Sequence, residues 1–369
     1  GATLYISDSE LQVDGAARYV TANYNDSTLI VNNSMVTSTG SNDNTADVSE
    51  PFSNAALLIS GTARANFSIG ATQTYYYDSV CTAEGWAALS TDSATGDGLD
   101  LYAYNTEGVA ENGGYSTYAD TNCRVWLYGS RLTAAEIGCI ISKNGQIHAY
   151  GSDAAPAEVM QYHEGDPVST DTTIVGGRNA VMIHAPDMMG QGLMAADCGM
   201  FYAENTTLAT SDDLRSTKDY NDYGEAVGAY IDDVGGDVFL IRSTSADIQL
   251  KSVQMESYSG VLVHTVLNAD SMGNFLAAGD GEQVEPVSVT MKDMDVAGDI
   301  LHEDYQRDLF VTLENVQFTG KIVTGAVETW NKTAMQEGFP EYIIDPDGYQ
   351  TVHGAHLRLE RQATWTVTG

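Results

Sequence analysis

One phrase recurs along this chain: a short strand, a polar residue, two more residues, an apolar residue, then glycine or a turn. It reads TLYISDSELQVDG at 3–15 and TLIVNNSMVTSTG at 28–40. It returns as MFYAENTTLATS at 200–211, IQLKSVQMES at 248–257, VTMKDMDVAG at 289–298 and VTLENVQFTG at 311–320. A strand-sized phrase repeated this often, with no helical periodicity between copies, marks a solenoid. Each coil of a solenoid touches mainly its neighbours, so 369 residues make one elongated domain rather than two or three.

A second phrase follows the first: three apolar-leaning residues, then a variable one. It appears as WAAL (86–89), YSTY (115–118), CIIS (139–142), VMIH (181–184), FLIR (239–242), VLVH (261–264), DILH (299–302) and KIVT (321–324). Its last positions at 242, 264, 302 and 324 include two steps of 22 residues, near one β-helix coil. Longer steps hold insertions at 209–235 and 267–286, and insertions on one side of a repeat protein often carry its binding face. Helices are few: LTAAEIG at 132–138 and TAMQEGFPEY at 333–342 each suit one turn. The repeats fill 1–324. Residues 325–369 are expected to form an irregular cap ending in a β-hairpin, because an open stack end invites aggregation.

The polar position of the first phrase holds Asp8, Asn32, Asn205, Ser252, Asp293 and Asn315, each three residues before an apolar one. This column resembles the asparagine ladder of the right-handed parallel β-helix in the pectate-lyase-like superfamily. The closest likeness is to adhesin-like β-helix proteins of anaerobic gut bacteria, above all across 237–324. The resemblance implies an all-β, single-domain, right-handed parallel β-helix of about ten coils, secreted or displayed at the cell surface. Stacked side-chain amides would there satisfy bend backbone groups that the sheets leave unpaired. No catalytic motif of the pectate or pectin lyases is present.

Acidic residues outnumber basic ones 51 to 16, a net charge of −35. Phosphate binding needs clustered lysine and arginine, so nucleic acid is excluded as a general partner. No apolar run nears the length that crosses a bilayer, and Gly1 opens no signal peptide, as in a mature chain. So acidic a surface suits an extracellular protein. Calcium is the one cofactor the acidic turns suggest: HEGD at 163–166, APDMMG at 185–190, GDGE at 279–282 and DPDG at 345–348 offer oxygens. Cys81, Cys123, Cys139 and Cys198 form no CxxC pair, which argues against a zinc or redox site; Cys139 and Cys198 read as buried apolar residues.

In a parallel stack, equivalent residues of neighbouring coils lie about 4.8 Å apart. The last positions of the second phrase therefore predict an outward column: Leu89, Tyr118, Ser142, His184, Arg242, His264, His302 and Thr324. Three of the seven histidines fall in it. The row two residues earlier holds Met182, Leu240 and Leu262, an apolar floor. The expected function is recognition of a glycan, or another small ring-bearing ligand, in this polar and aromatic groove. Trp86, Tyr115, Lys143, Met182 and Asp187 are the candidate binding residues. Tyrosines and tryptophans crowd residues 75–162, and exposed rings there would stack on sugars. The alternative is an enzyme, a polysaccharide lyase or glycosidase. In β-elimination Arg242 would neutralise a carboxylate, His264 or His184 would take the proton, and Tyr118 or His302 would protonate the leaving oxygen. A glycosidase would draw on two carboxylates among Asp187, Glu303 and Asp304.

Overall fold

The computed structural model describes residues 1–14, 19–39, 53–54, 59–60, 64–92, 98–184, 198–215, 235–242, 244–266, 284–304, 307–324 and 354–368. Its architecture is the expected all-β parallel solenoid. A broad sheet of 18 strands and a narrow sheet of 10 run along it. Among the described residues the pairing between coils is parallel; the exception is the short antiparallel pair Ser53–Asn54 with Ile59–Ser60.

One coil shows the plan. Cys123–Tyr128 forms the first leg of the broad sheet, the chain bends at Gly129, and Arg131–Ala134 forms the second leg. Ile137–Ser142 crosses to the narrow sheet, and Gln146–Tyr150 begins the next coil, in register with Cys123–Tyr128. Side chains alternate across each strand, so one row of every leg points inward. The first leg lays Leu29, Leu101, Val125, Ile147 and Phe201 into the core, and the narrow sheet lays Leu89, Cys139, Val181, Phe239 and Val263 against them. Phe201 and Phe239 meet edge to face at 5.3 Å. Each such side chain contributes about 1.5–3 kcal/mol by leaving water.

The bend between the two legs explains the polar column. Asp8, Asn33, Asp78, Asn105, Gly129, Asn205, Ser252, Asp293, Asn315 and Arg361 all have φ between 42° and 58°. Asparagine, aspartate and glycine visit this left-handed region most readily. Asn33, not Asn32, occupies the position in the second coil; the side chain of Asn32 instead hydrogen-bonds to Tyr5 and Tyr162. Asparagine stands over aspartate repeatedly, with Nδ2 of Asn33 donating to Asp8 (2.6 Å) and that of Asn315 to Asp293 (2.8 Å). The bend backbone is satisfied by a neighbouring hydroxyl ladder rather than by these amides. Ser34 Oγ donates to the Asn32 carbonyl at 2.6 Å and Ser79 Oγ to that of Tyr77 at 2.7 Å. Each hydroxyl accepts from the backbone N–H one coil below, Ser9 to Ser34 and Ser34 to Ser79, both at 3.1 Å.

Three expectations are corrected. Residues 132–138 form no helix: they end one strand, turn and begin another, because alternation at 131–134 wins over helical propensity. The final strands, Ala355–Glu360 and Thr364–Val367, do not form a hairpin; both pair parallel with Leu309–Gly320, as the two legs of a last coil. Cys198 is partly exposed, whereas Cys81, Cys123 and Cys139 are buried. The turn at 333–342 and most of the expected cap lie outside the described residues.

Sequence reading missed one feature. Residues 151–171 leave the solenoid at the bend and fold back over the outer face of the first leg, carrying a short helix at Ala157–Met160. Ser152 closes the neck of this strap, donating to the Val168 carbonyl (2.6 Å) and accepting from the Thr170 N–H (2.8 Å). Its far end is fixed by His163 Nε2 on Asp78 Oδ2 (2.6 Å) and by Glu164, which accepts from Tyr5 and Ser7.

Candidate functional site

Most of the candidate residues do share one surface, the outer face of the narrow sheet. The single column resolves into three rows. Ser142, His184 and Arg242 are consecutive register partners, as expected. Tyr118, Ile140, Met182, Leu240 and His264 form the row two residues earlier on the same face. His302 is paired with Thr265 and Ile241 in an inward row, where its Nδ1 meets Thr265 Oγ1 at 2.6 Å. It faces away from His184 and His264. Leu89 also points inward, in the core. For His302 the cause is a register shift between Val261 and Val263: one extra residue in that strand sets His302 opposite Thr265 instead of His264.

The face begins at an aromatic end. Trp86 Nε1 donates to Tyr115 Oη at 2.7 Å, and the Tyr115 and Tyr118 rings lie 5.2 Å apart. The Arg64 guanidinium lies 3.7 Å above the Trp86 ring and 4.7 Å from Phe67, a cation–π contact on both sides. Arg64 also reaches Asp92 at 3.9 Å. Trp86 and Tyr118 are partly exposed. Tyr118 Oη donates to Asp120 Oδ1 at 3.3 Å; burial, then the nearby Asp120 charge, push its hydroxyl well above its ordinary range. Tyr118 therefore holds its proton at neutral pH and acts as a donor.

Next comes a buried centre. Met182, His184 and Arg242 are all buried, and Arg242 Nη1 lies 3.7 Å from the Met182 sulfur. Burial, followed by the Arg242 charge, drives the His184 imidazole down to about 3. It is neutral at physiological pH. Its Nε2 is buried and has no hydrogen-bond partner among the described residues. Such an atom costs roughly 1–3 kcal/mol unless something meets it.

The third part is a charged end. His264 Nδ1 lies 2.7 Å from Asp237 Oδ2 and its Nε2 2.8 Å from Glu303 Oε2. Burial alone would lower this imidazole; the two carboxylates reverse that and raise it to about 9. His264 is thus a cation that can give a proton and cannot take one. Asp237, which the repeats did not flag, also accepts from Ser259 Oγ at 2.7 Å. Its only sequence signal is its place at the mouth of the FLIR strand. Of the other candidates, Lys143 sits at the turn after Ser142 with φ 52°, its backbone N–H on the His184 carbonyl at 2.9 Å. Asp187 lies outside the described residues. So do three of the four candidate calcium loops; in the fourth, His163 and Glu164 are engaged in fixing the strap. No group of three His, Cys, Asp or Glu among the described residues is arranged to hold a metal.

A second aromatic surface lies on the first leg of the broad sheet. Tyr75, Tyr102, Trp126, His148 and Tyr202 stack ring on ring at 4.8, 6.3, 3.9 and 4.9 Å. Rings stacked on each other give their faces to their neighbours and only edges to solvent. The strap covers the parallel row, where the Tyr77 hydroxyl donates to the Val159 carbonyl and the Tyr104 hydroxyl meets the Val168 backbone. This surface is packing, in keeping with the cluster of Tyr75, Tyr77, Tyr104 and Tyr128 around Val159. Comparison with known proteins returned no match to a family model, a curated protein or a solved structure.

Proposed function

We propose that this chain is a glycan-recognising β-helix protein of the secreted or cell-surface, adhesin-like kind, and that it grips a saccharide on the outer face of the narrow sheet. The observation that carries the reading is the aromatic end: Trp86 and Tyr118, partly exposed, beside the Arg64, Asp92 and Asp120 charges. Sugars need that mixture of ring surface for their C–H faces and charged hydrogen-bond partners for their hydroxyls. The buried His184 and Arg242 continue the same face inward. The acid-rich composition and the likeness of the repeats to adhesin-like proteins favour binding outside the cell.

The test is a glycan array followed by calorimetry with the best ligand. Trp86→Ala and Tyr118→Ala should each weaken binding at least tenfold, about 1.4 kcal/mol. An array with no ligand, or affinity unchanged in both variants, contradicts the reading. The enzyme alternative rests on one separate observation, the Asp237–His264–Glu303 array, in which a cationic imidazole stands ready as an acid. Absorbance at 235 nm and reducing-end release from the bound glycan decide it: turnover lost in His264→Gln supports a lyase or glycosidase.

A further inference from the structure

In a solenoid each coil leans mainly on the coils beside it. The strap at 151–171 breaks that rule. From the rung of Gln146–Tyr150 it runs back along the broad sheet to that of Thr3–Ser7, five steps, or roughly 24 Å at the spacing of parallel strands. It takes hold of each rung that it passes. Thr170 Oγ1 donates to the Gly129 carbonyl at 3.2 Å. Val168 clasps the Tyr104 hydroxyl, its N–H donating at 3.0 Å and its carbonyl accepting at 3.3 Å. The Val159 carbonyl accepts from Tyr77. Asn32 is held twice: its Nδ2 donates to the Tyr162 carbonyl at 3.0 Å, and its Oδ1 accepts from the Glu164 N–H at 3.2 Å. The Glu164 carboxylate then accepts from Tyr5 and Ser7. His163, bonded to Asp78, lays its ring 4.9 Å from that of Tyr104 and 5.6 Å from that of Tyr77.

The sheet beneath is made to be covered. Ser7, Asn32, Tyr77, Tyr104, Tyr128 and Tyr150 are successive register partners in one outward row. Tyr77 and Tyr104 are buried there. Past Tyr150, where the strap leaves the sheet, the same row continues as Glu204, Lys251, Lys292, Glu314 and Glu360. Its charges pair with one another in water, Lys251 with Glu204 and Lys292 with Glu314. The row thus changes from aromatic to charged at the point where the strap departs. Tyr5 and Glu164 stand 159 residues apart, so the far fastening closes only after the rungs between them are in register.

We propose that the strap is an axial clamp. It ties the rungs from Thr3–Ser7 to Gln146–Tyr150 into one unit that opens as a whole, whereas the coils beyond it open separately. Opening any rung under the strap means breaking its fastenings to the others, which nearest-neighbour stacking alone does not demand.

Hydrogen exchange of the full chain, read by mass spectrometry, measures such opening units. His163→Ala combined with Glu164→Ala cuts the far fastenings and leaves the neck and the short helix in place. Protection should fall at least tenfold, and together, in Thr3–Ser7, Thr28–Asn32 and Gln73–Tyr77, with Val287–Ala297 and Leu309–Gly320 unchanged. His163→Gln with Glu164→Gln, which keeps hydrogen-bonding groups at both positions, should restore most of that protection. A loss confined to residues 151–171, a loss that reaches Thr3–Ser7 alone, or a glutamine pair as loose as the alanine pair overturns the proposal. Tyr5→Phe with Ser7→Ala covers the case of an alanine pair that fails to fold, because it removes only two hydroxyls. Protection should then fall in Gln73–Tyr77, two rungs away, as well as in Thr3–Ser7; unchanged protection in Gln73–Tyr77 overturns the proposal.

Discussion

His184 and His264 lie on one sheet face and hold opposite charge states. Against an unfolded imidazole near 6.5, His264 is raised to about 9 by Asp237 and Glu303, while His184 falls to about 3 through burial and Arg242. The two therefore act on opposite sides of neutrality. His264 contributes stability fully below pH 6.5 and loses it as pH rises through 9, because the folded state then holds the extra proton. His184 contributes stability above pH 6.5 and loses it as pH falls toward 3, because the unfolded state then binds the proton; His148, lowered to about 4 by burial and then by Arg124, acts in the same sense. Urea denaturation across pH should show a maximum near neutrality, with an alkaline loss on the order of 2–3 kcal/mol. His264→Gln should flatten the alkaline limb alone. Stability that rises from pH 7 to pH 9 would contradict this assignment. Neither state was legible in the sequence, where all the histidines of the second phrase looked alike. The partner that fixes His264 is Asp237, 27 residues away and outside the repeated phrase.

The coil was far more legible than the site. Alternating apolar residues and turn-forming residues at the bend are local signals, and they placed Asp8, Asn205, Ser252, Asp293 and Asn315 in the left-handed column. The second phrase placed Ser142, His184 and Arg242 in one row for the same reason. Alternation kept His264 on the outer face, though two residues out of the expected row, and failed at His302, because it fixes sides only until an extra residue intervenes, as between Val261 and Val263. The strap at 151–171 was illegible because its contacts reach as far back as Tyr5 and Asp78 and follow no repeat. The bend supports a prediction of its own. Ser252 sits at φ 52° without the tolerance of asparagine or glycine for that region, where an ordinary residue pays about 1–2 kcal/mol. Ser252→Asn should raise the melting temperature by a few degrees, and Asn315→Ala, which also removes the bond to Asp293, should lower it. A lower melting temperature in Ser252→Asn would mean that the serine hydroxyl serves the bend better than an amide can.

At the scale of the molecule, the stacked coils turn sequence distance into lateral distance. Trp86, Tyr118 and His264 span 178 positions, yet strands of one sheet bring them to one face. The same stacking builds the other aromatic surface, on the broad sheet, and the functional account depends on which of the two meets ligand. The chain has four tryptophans; Trp86 stands on the narrow-sheet face and Trp126 in the stacked ladder of the broad sheet. Indole N–H resonances of the labelled protein, followed during titration with the glycan chosen from the array, separate the two. The account requires the Trp86 resonance to move with saturation while that of Trp126 stays in place. Movement of Trp126 with Trp86 fixed would put the ligand on the broad sheet and contradict the account.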